Sequence, residues 1–96
     1  MARYTVRVQY LGSDGSSSLP TRTRTKTFRM GGVRTPREAG RRALEQFRVW
    51  TIDRDLYPVL GWHLVVTDRG RPVALASGDA EDFRRCRIEW KRLERP

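Results

Sequence analysis

Residues 3–11 fix the first element before anything else in the chain is considered. Tyr4, Val6, Val8 and Tyr10 occupy one parity and Arg3, Thr5, Arg7 and Gln9 the other. Side chains on a strand point alternately to its two faces, so this pattern is a strand with one face buried and one face wet. A helix would scatter these apolar residues around its circumference. The chain therefore starts as one strand of a sheet with a single covered face.

The segment 12–20, Gly-Ser-Asp-Gly-Ser-Ser-Ser-Leu-Pro, is turn and loop material, too short for a domain linker. Residues 21–30 resume as a strand with threonine at alternate positions, a residue type that suits a pleated surface. The two strands make a long hairpin, closed off at Gly31 and Gly32. Thr35-Pro36-Arg37-Glu38 is a helix start: Thr35 caps, Pro36 suits the first helical position, and Glu38 completes a capping box. The helix is predicted to run to about Trp50. Ala39, Ala43, Phe47 and Trp50 share a face flanked by Gly40 and Leu44, small enough for close approach to a sheet.

Residues 51–61, with Asp53, Asp55 and Pro58, read as irregular. Residues 62–67 and 72–77 read as strands around a tight turn at Asp68-Arg69-Gly70. Gly78 to Phe83 is an acidic turn or short helical turn. Cys86, Ile88 and Trp90 alternate with Arg87, Glu89 and Lys91, which indicates a last strand; a helix from Ala80 onward is the alternative. The expected fold is α+β, a two-layer β-β-α-β-β-β arrangement. One antiparallel sheet of about five strands carries one helix on one face. The residues expected to meet the helix are Val6, Val8, Phe28, Met30, Leu64, Val66, Val73, Leu75, Ile88 and Trp90. That order fits neither a double-stranded-RNA-binding domain, which places a helix before three strands, nor a helix-turn-helix.

Composition bounds the class. The 96 residues fit a single domain over 1–96, and 38% hydrophobic with 32% charged residues is globular rather than disordered. No apolar run reaches the length of a membrane span, and the first residues lack a signal-peptide pattern. Cys86 has no second cysteine to pair with. A cytoplasmic, reducing setting without a membrane is expected.

Net charge is +9, and it is uneven. Residues 1–50 hold eleven Arg/Lys against three Asp/Glu, a net of +8; residues 51–96 hold nine against eight, a net of +1. Eighteen of the cations are arginine and two are lysine, a bias that a GC-rich genome produces by itself. Such a bias does not put eleven cations against three anions in one half. This asymmetry points to a polyanionic partner.

Three groups of cations are candidates. Arg22, Arg24 and Lys26 share the parity of Phe28 and are expected beyond the helix, on a projecting arm able to enter a nucleic-acid groove. The alternative for them is protection of a sheet edge. Arg37, Arg41 and Arg48 fall close together beside the apolar stripe of the helix, whereas Arg42 can pair with Glu38 at i,i+4 spacing. Arg3, Arg7 and Arg29 belong to the open sheet face, with Thr5, Thr23, Thr25 and Thr27. Arg85, Arg87 and Lys91 are expected there as well. Arginine and threonine both donate to phosphate oxygens. An ordinary solvated sheet face is the plainer alternative. Arg34 and Arg37 stand at the helix start, but Gly-Gly-Val-Arg-Thr-Pro matches no phosphate-loop motif.

Signals for catalysis are missing. His63 has no partner at metal-ligand spacing, Cys86 has the parity of a buried thiol, and Asp53 and Asp55 suit a turn. Asp79, Glu81 and Asp82 read as helix-start charges. No cofactor, metal or enzymatic activity is expected. The first functional expectation is a non-enzymatic nucleic-acid-binding accessory module. It would contact the backbone of duplex DNA or structured RNA, because the open face offers no aromatic pair for stacking single-stranded bases. The alternative is a protein-interaction module, of the kind a phage or mobile element encodes. It would hold a host protein with an acidic surface, or form a homodimer, through its open sheet face or sheet edge.

Overall fold

The computed structural model describes residues 3–12, 22–53 and 59–91. Strands β1 (Arg3–Gly12) and β2 (Arg22–Gly31) pair antiparallel over ten unbroken positions, from Arg3 opposite Gly31 to Gly12 opposite Arg22. Residues 13–21, most of the expected loop, lie outside the described residues. On its other side β1 pairs with β3 (Val59–Asp68), and β3 with β4 (Arg71–Asp79). The last strand, β5 (Trp90–Lys91), adds to β4, giving the order β2-β1-β3-β4-β5. β1 thus has a strand on each side. Its inward residues Tyr4, Val6, Val8 and Tyr10 are all buried, while Arg3, Arg7 and Gln9 are exposed. The β3–β4 turn has two successive positive φ angles, Arg69 at 53° and Gly70 at 82°. That geometry matches the twist of a two-residue hairpin.

The long helix α1 (Pro36–Asp53) crosses one face of this sheet. Its start is capped as expected: the Glu38 N–H donates to Thr35 Oγ1 at 3.1 Å. The Glu38 carboxylate reaches back to the Arg34 N–H, also at 3.1 Å, one residue before the cap and not the Thr35 N–H that the expected capping box would use. Ala39, Ala43, Leu44 and Phe47 are fully buried. Each large side chain removed from water in this way contributes about 1.5–3 kcal/mol. Phe47 is the hub, with its ring centroid 4.7 Å from Tyr10, 5.4 Å from Phe83, 5.8 Å from Trp50 and 6.4 Å from Phe28. A Cβ on Gly40 would stand 2.5 Å from Trp90 Cη2 and 3.1 Å from Val66 Cγ2, so glycine sets how closely the helix lies on the sheet. The helix continues past Trp50 because Thr51 can be buried there, its hydroxyl donating to the Arg48 carbonyl at 2.7 Å. Asp55 and Pro58, expected in the irregular stretch, lie outside the described residues. β3 begins at Val59 rather than Trp62.

Two details of the sequence reading are corrected. Ala74 and Ala76 face the helix layer, opposite Val66 and Leu64, and Leu75 turns to the open face opposite Val65. Small residues fill the inner row where α1 lies close. The register shifts between Val66 and Thr67, which leaves Val73 as an extra residue packed partly against the core. The second correction concerns residues 80–91. A short helix, α2 (Ala80–Arg85), follows β4, so the element order is β-β-α-β-β-α-β. Asp79 caps it and shares a full capping box with Asp82. Phe83 anchors it against Phe47. Cys86, in the left-handed region at φ 53°, ends it, and the Arg87 N–H donates to the Asp82 carbonyl at 2.9 Å. The expected strand over 86–91 is thereby shortened to Trp90–Lys91, and Cys86 is half-buried.

Candidate nucleic-acid interface

α1 and α2 both cover one side of the sheet, and no element among the described residues covers the other face. Strand alternation assigns its side chains. Thr5 lies opposite Arg29, Arg7 opposite both Thr27 and Val65, and Gln9 opposite both Thr25 and His63. Arg3, Arg7, Arg29, Thr25 and Thr27 are exposed. Arg29 sits one strand over from β1 and midway in register between Arg3 and Arg7. With a rise of about 3.4 Å per residue, the three positions fall within about 14 Å along the ribbon. Neither β1 nor β2 contains a carboxylate, while together they carry Arg3, Arg7, Arg22, Arg24, Lys26 and Arg29. The described carboxylates lie on the helices, at the strand ends Asp68 and Asp79, and at Glu89. Lys91, opposite Leu75, adds a cation at the far side of the open face.

Aromatic rings are segregated in the opposite sense. All the described aromatic side chains belong to the helix-side core or pack against it. The open face instead offers hydroxyls, guanidiniums and a few apolar positions, Leu11 at 38% exposure among them. Such a surface donates hydrogen bonds to anionic oxygens, and among the described residues it presents no aromatic ring.

The other candidate cations divide by what they touch. Arg37 and Arg41 line an open groove of about 420 Å³ between the start of α1 and the 86–90 segment. The Arg37 guanidinium lies 5.8 Å from the centroid of the Trp90 ring. Arg48 does not join them. It is half-buried, and its Nη2 donates to the Arg84 carbonyl at 2.7 Å, tying α1 to α2. Sequence spacing put Arg48 beside Arg37 and Arg41; its partner lies 36 residues away, which helical periodicity cannot reveal. Lys26 also differs from expectation. Its Nζ lies 5.1 Å from the Trp50 ring centroid and 5.9 Å from that of Phe28, on the helix side of the sheet rather than on an arm beyond the helix. The aromatic rings attract the ammonium. The side chains of Arg22 and Arg24 lie outside the described residues. Arg42 pairs with Glu38 at 3.0 Å, as its spacing requires. Arg85 sits on α2 and pairs with Glu81 at 3.0 Å, so it is not part of the open face.

Asp79 is the titratable group whose environment is most distinctive. Its carboxyl is held below its ordinary value, first by the Asp82 backbone N–H it accepts. That is a helix cap, not an acid–base centre. His63 is exposed on the open face, on the opposite side of the sheet from Cys86. Among the described residues no three His, Cys, Asp or Glu groups converge as a metal site, and no helix is long and apolar enough to cross a membrane. The domain is therefore a small α+β unit with a five-stranded antiparallel sheet, open on one face. In comparison with known proteins, the chain matches no family model, no curated protein and no solved structure.

Proposed function

We propose that this domain is a non-enzymatic, intracellular nucleic-acid-binding module that holds duplex DNA or structured RNA by its phosphate backbone. The observation that carries the reading is the charge segregation in the β1–β2 ribbon, six cations and no carboxylate. Arg3, Arg7 and Arg29 stand exposed among threonines on a sheet face that no described element covers. Cations that neutralise phosphates release counterions, which supplies affinity without reading sequence. That the described residues put no aromatic ring on that face favours backbone contact over base contact. Arg37 and Arg41 lie on the other side of the sheet and are not needed for this contact.

The test is fluorescence anisotropy of labelled duplex DNA, single-stranded DNA and hairpin RNA across a salt series, with wild type and the Arg7→Gln/Arg29→Gln double variant. Each lost phosphate contact lowers the steepness of log K against log salt by about 0.9 on a duplex, so the double variant is expected to lose about 1.8. A double variant with the wild-type slope and affinity would remove the open face from the mechanism. Tighter binding of the single strand than of either duplex or hairpin would refute backbone recognition.

A further inference from the structure

Arg37 and Arg41 occupy one wall of the groove between the start of α1 and the segment after α2, and both are exposed. Residues four apart on a helix stand about 5–6 Å apart at Cβ, so the two guanidiniums can reach one anion and otherwise repel each other. Among the described residues no carboxylate pairs with either. Glu38 also lines the groove, but its carboxylate already serves Arg42 at 3.0 Å and the Arg34 N–H at 3.1 Å.

The facing wall is apolar. Ile88 and Trp90 are half-buried and border the same space of about 420 Å³. Small-molecule sites commonly have about 300–1,000 Å³, an apolar lining and a few placed polar groups. The Arg37 guanidinium lies over the Trp90 ring, 5.8 Å from its centroid. Stacking uses the flat face of a guanidinium; its N–H donors lie in its plane and remain for an oxyanion. It also orients the donor fork before a ligand arrives, so less side-chain freedom is lost on binding. A bare inorganic anion would leave the apolar wall unused, and a neutral hydrocarbon would leave the arginines unanswered.

We infer that this groove binds a small organic oxyanion, its carboxylate or phosphate held between Arg37 and Arg41 and its apolar body against Ile88 and Trp90. The inference is independent of the phosphate-backbone reading, which rests on Arg3, Arg7 and Arg29 on the opposite side of the sheet.

The test uses the isotopically labelled whole protein and four probes: phenylpropionate, phenylpropanamide, acetate and phenyl phosphate. Phenylpropionate is expected to shift the Ile88 amide and Trp90 indole N–H resonances. Phenylpropanamide lacks the charge and acetate lacks the body, and each is expected to bind about tenfold more weakly. Arg41→Gln is expected to weaken phenylpropionate binding about tenfold and to leave phenylpropanamide unchanged, with circular dichroism verifying the fold. Acetate bound as tightly as phenylpropionate would overturn the role of the apolar wall. Wild-type affinity in an Arg37→Gln/Arg41→Gln double variant would overturn that of the arginines. Ile88 and Trp90 resonances unmoved by every probe, or shifts confined to the Val65 and His63 side of the sheet, would overturn the site itself. The Arg7→Gln/Arg29→Gln variant is expected to bind phenylpropionate as wild type does, which keeps failure here distinct from failure at the open face. Phenyl phosphate bound more tightly than phenylpropionate would support the groove with a phosphate monoester as its ligand, and the reverse order would support it with a carboxylate.

Discussion

Gly78 offers the sharpest test of how the core is built. It lies opposite Trp62 on the β3–β4 ladder, and the indole lies directly over it. A Cβ added at Gly78 would stand 2.6 Å from Trp62 Cζ2 and 2.8 Å from both Cε2 and Nε1. Carbon atoms prefer about 3.5–4.0 Å, so in Gly78→Ala the ring must retreat by about 1 Å. Trp62 is 4% exposed and sits opposite Tyr10 as well, so the ring has no open space to move into. Overpacking of this kind costs about 1–3 kcal/mol. Replacing a strand glycine with alanine returns about 0.5–1 kcal/mol through the unfolded chain. The net loss is about 1–2 kcal/mol, a fall in Tm of about 10 °C for a domain of this size. The control is one residue from Trp62. At Gly61 the nearest atom to a new Cβ is the Gly78 carbonyl oxygen at 3.9 Å, so Gly61→Ala should lose nothing in packing and keep the gain of about 0.5–1 kcal/mol from the unfolded chain. Urea unfolding followed by circular dichroism measures both. Phenylalanine lacks the clashing indole atoms, so Trp62→Phe in the Gly78→Ala background should recover part of the loss, a coupling that a double-mutant cycle reads directly. A Gly78→Ala protein as stable as Gly61→Ala would refute the stacking of the ring on the glycine.

Two further outcomes follow from the α2 region. Asp79 has a folded-state pKa below its ordinary value, because the Asp82 N–H favours the charged form. Its stabilisation is present in full above the unfolded value of about 3.9 and disappears as pH falls through the lower folded value. Asp79→Asn keeps a capping oxygen but not the charge, so thermal melts from pH 6 to pH 2 should converge with wild type only at the acid end; a constant gap would show that the charge is irrelevant. Arg48→Gln cannot reach the Arg84 carbonyl. It should lose about 1–3 kcal/mol of stability while leaving the salt dependence of nucleic-acid binding unchanged; an altered salt slope would return Arg48 to the interface.

Much of this molecule is written in local patterns. The alternation of Tyr4, Val6, Val8 and Tyr10 determined a strand with one covered face, since a period of two suits no other element. Thr35, Pro36 and Glu38 determined where the helix begins, and Gly40, Ala39 and Ala43 marked the face that lies close to the sheet. Local spacing also placed Arg42 on Glu38. The open face with Arg3, Arg7 and Arg29 followed once the buried parity of each strand was known. The tertiary structure decided what depends on distant partners. Ala74 and Ala76, not Val73 and Leu75, face inward because β4 pairs with β3 so that they lie opposite Val66 and Leu64, past a bulge at Val73. Residues 80–85 form a helix because Phe83 finds Phe47 and the Asp79–Asp82 box closes its start. Arg48 holds the Arg84 carbonyl and Lys26 lies on Trp50, contacts between segments far apart in the chain. Periodicity reports which side of its own element a residue occupies. It carries no information about what another element brings to that side, and there packing decided which arginines became scaffold and which were left facing water.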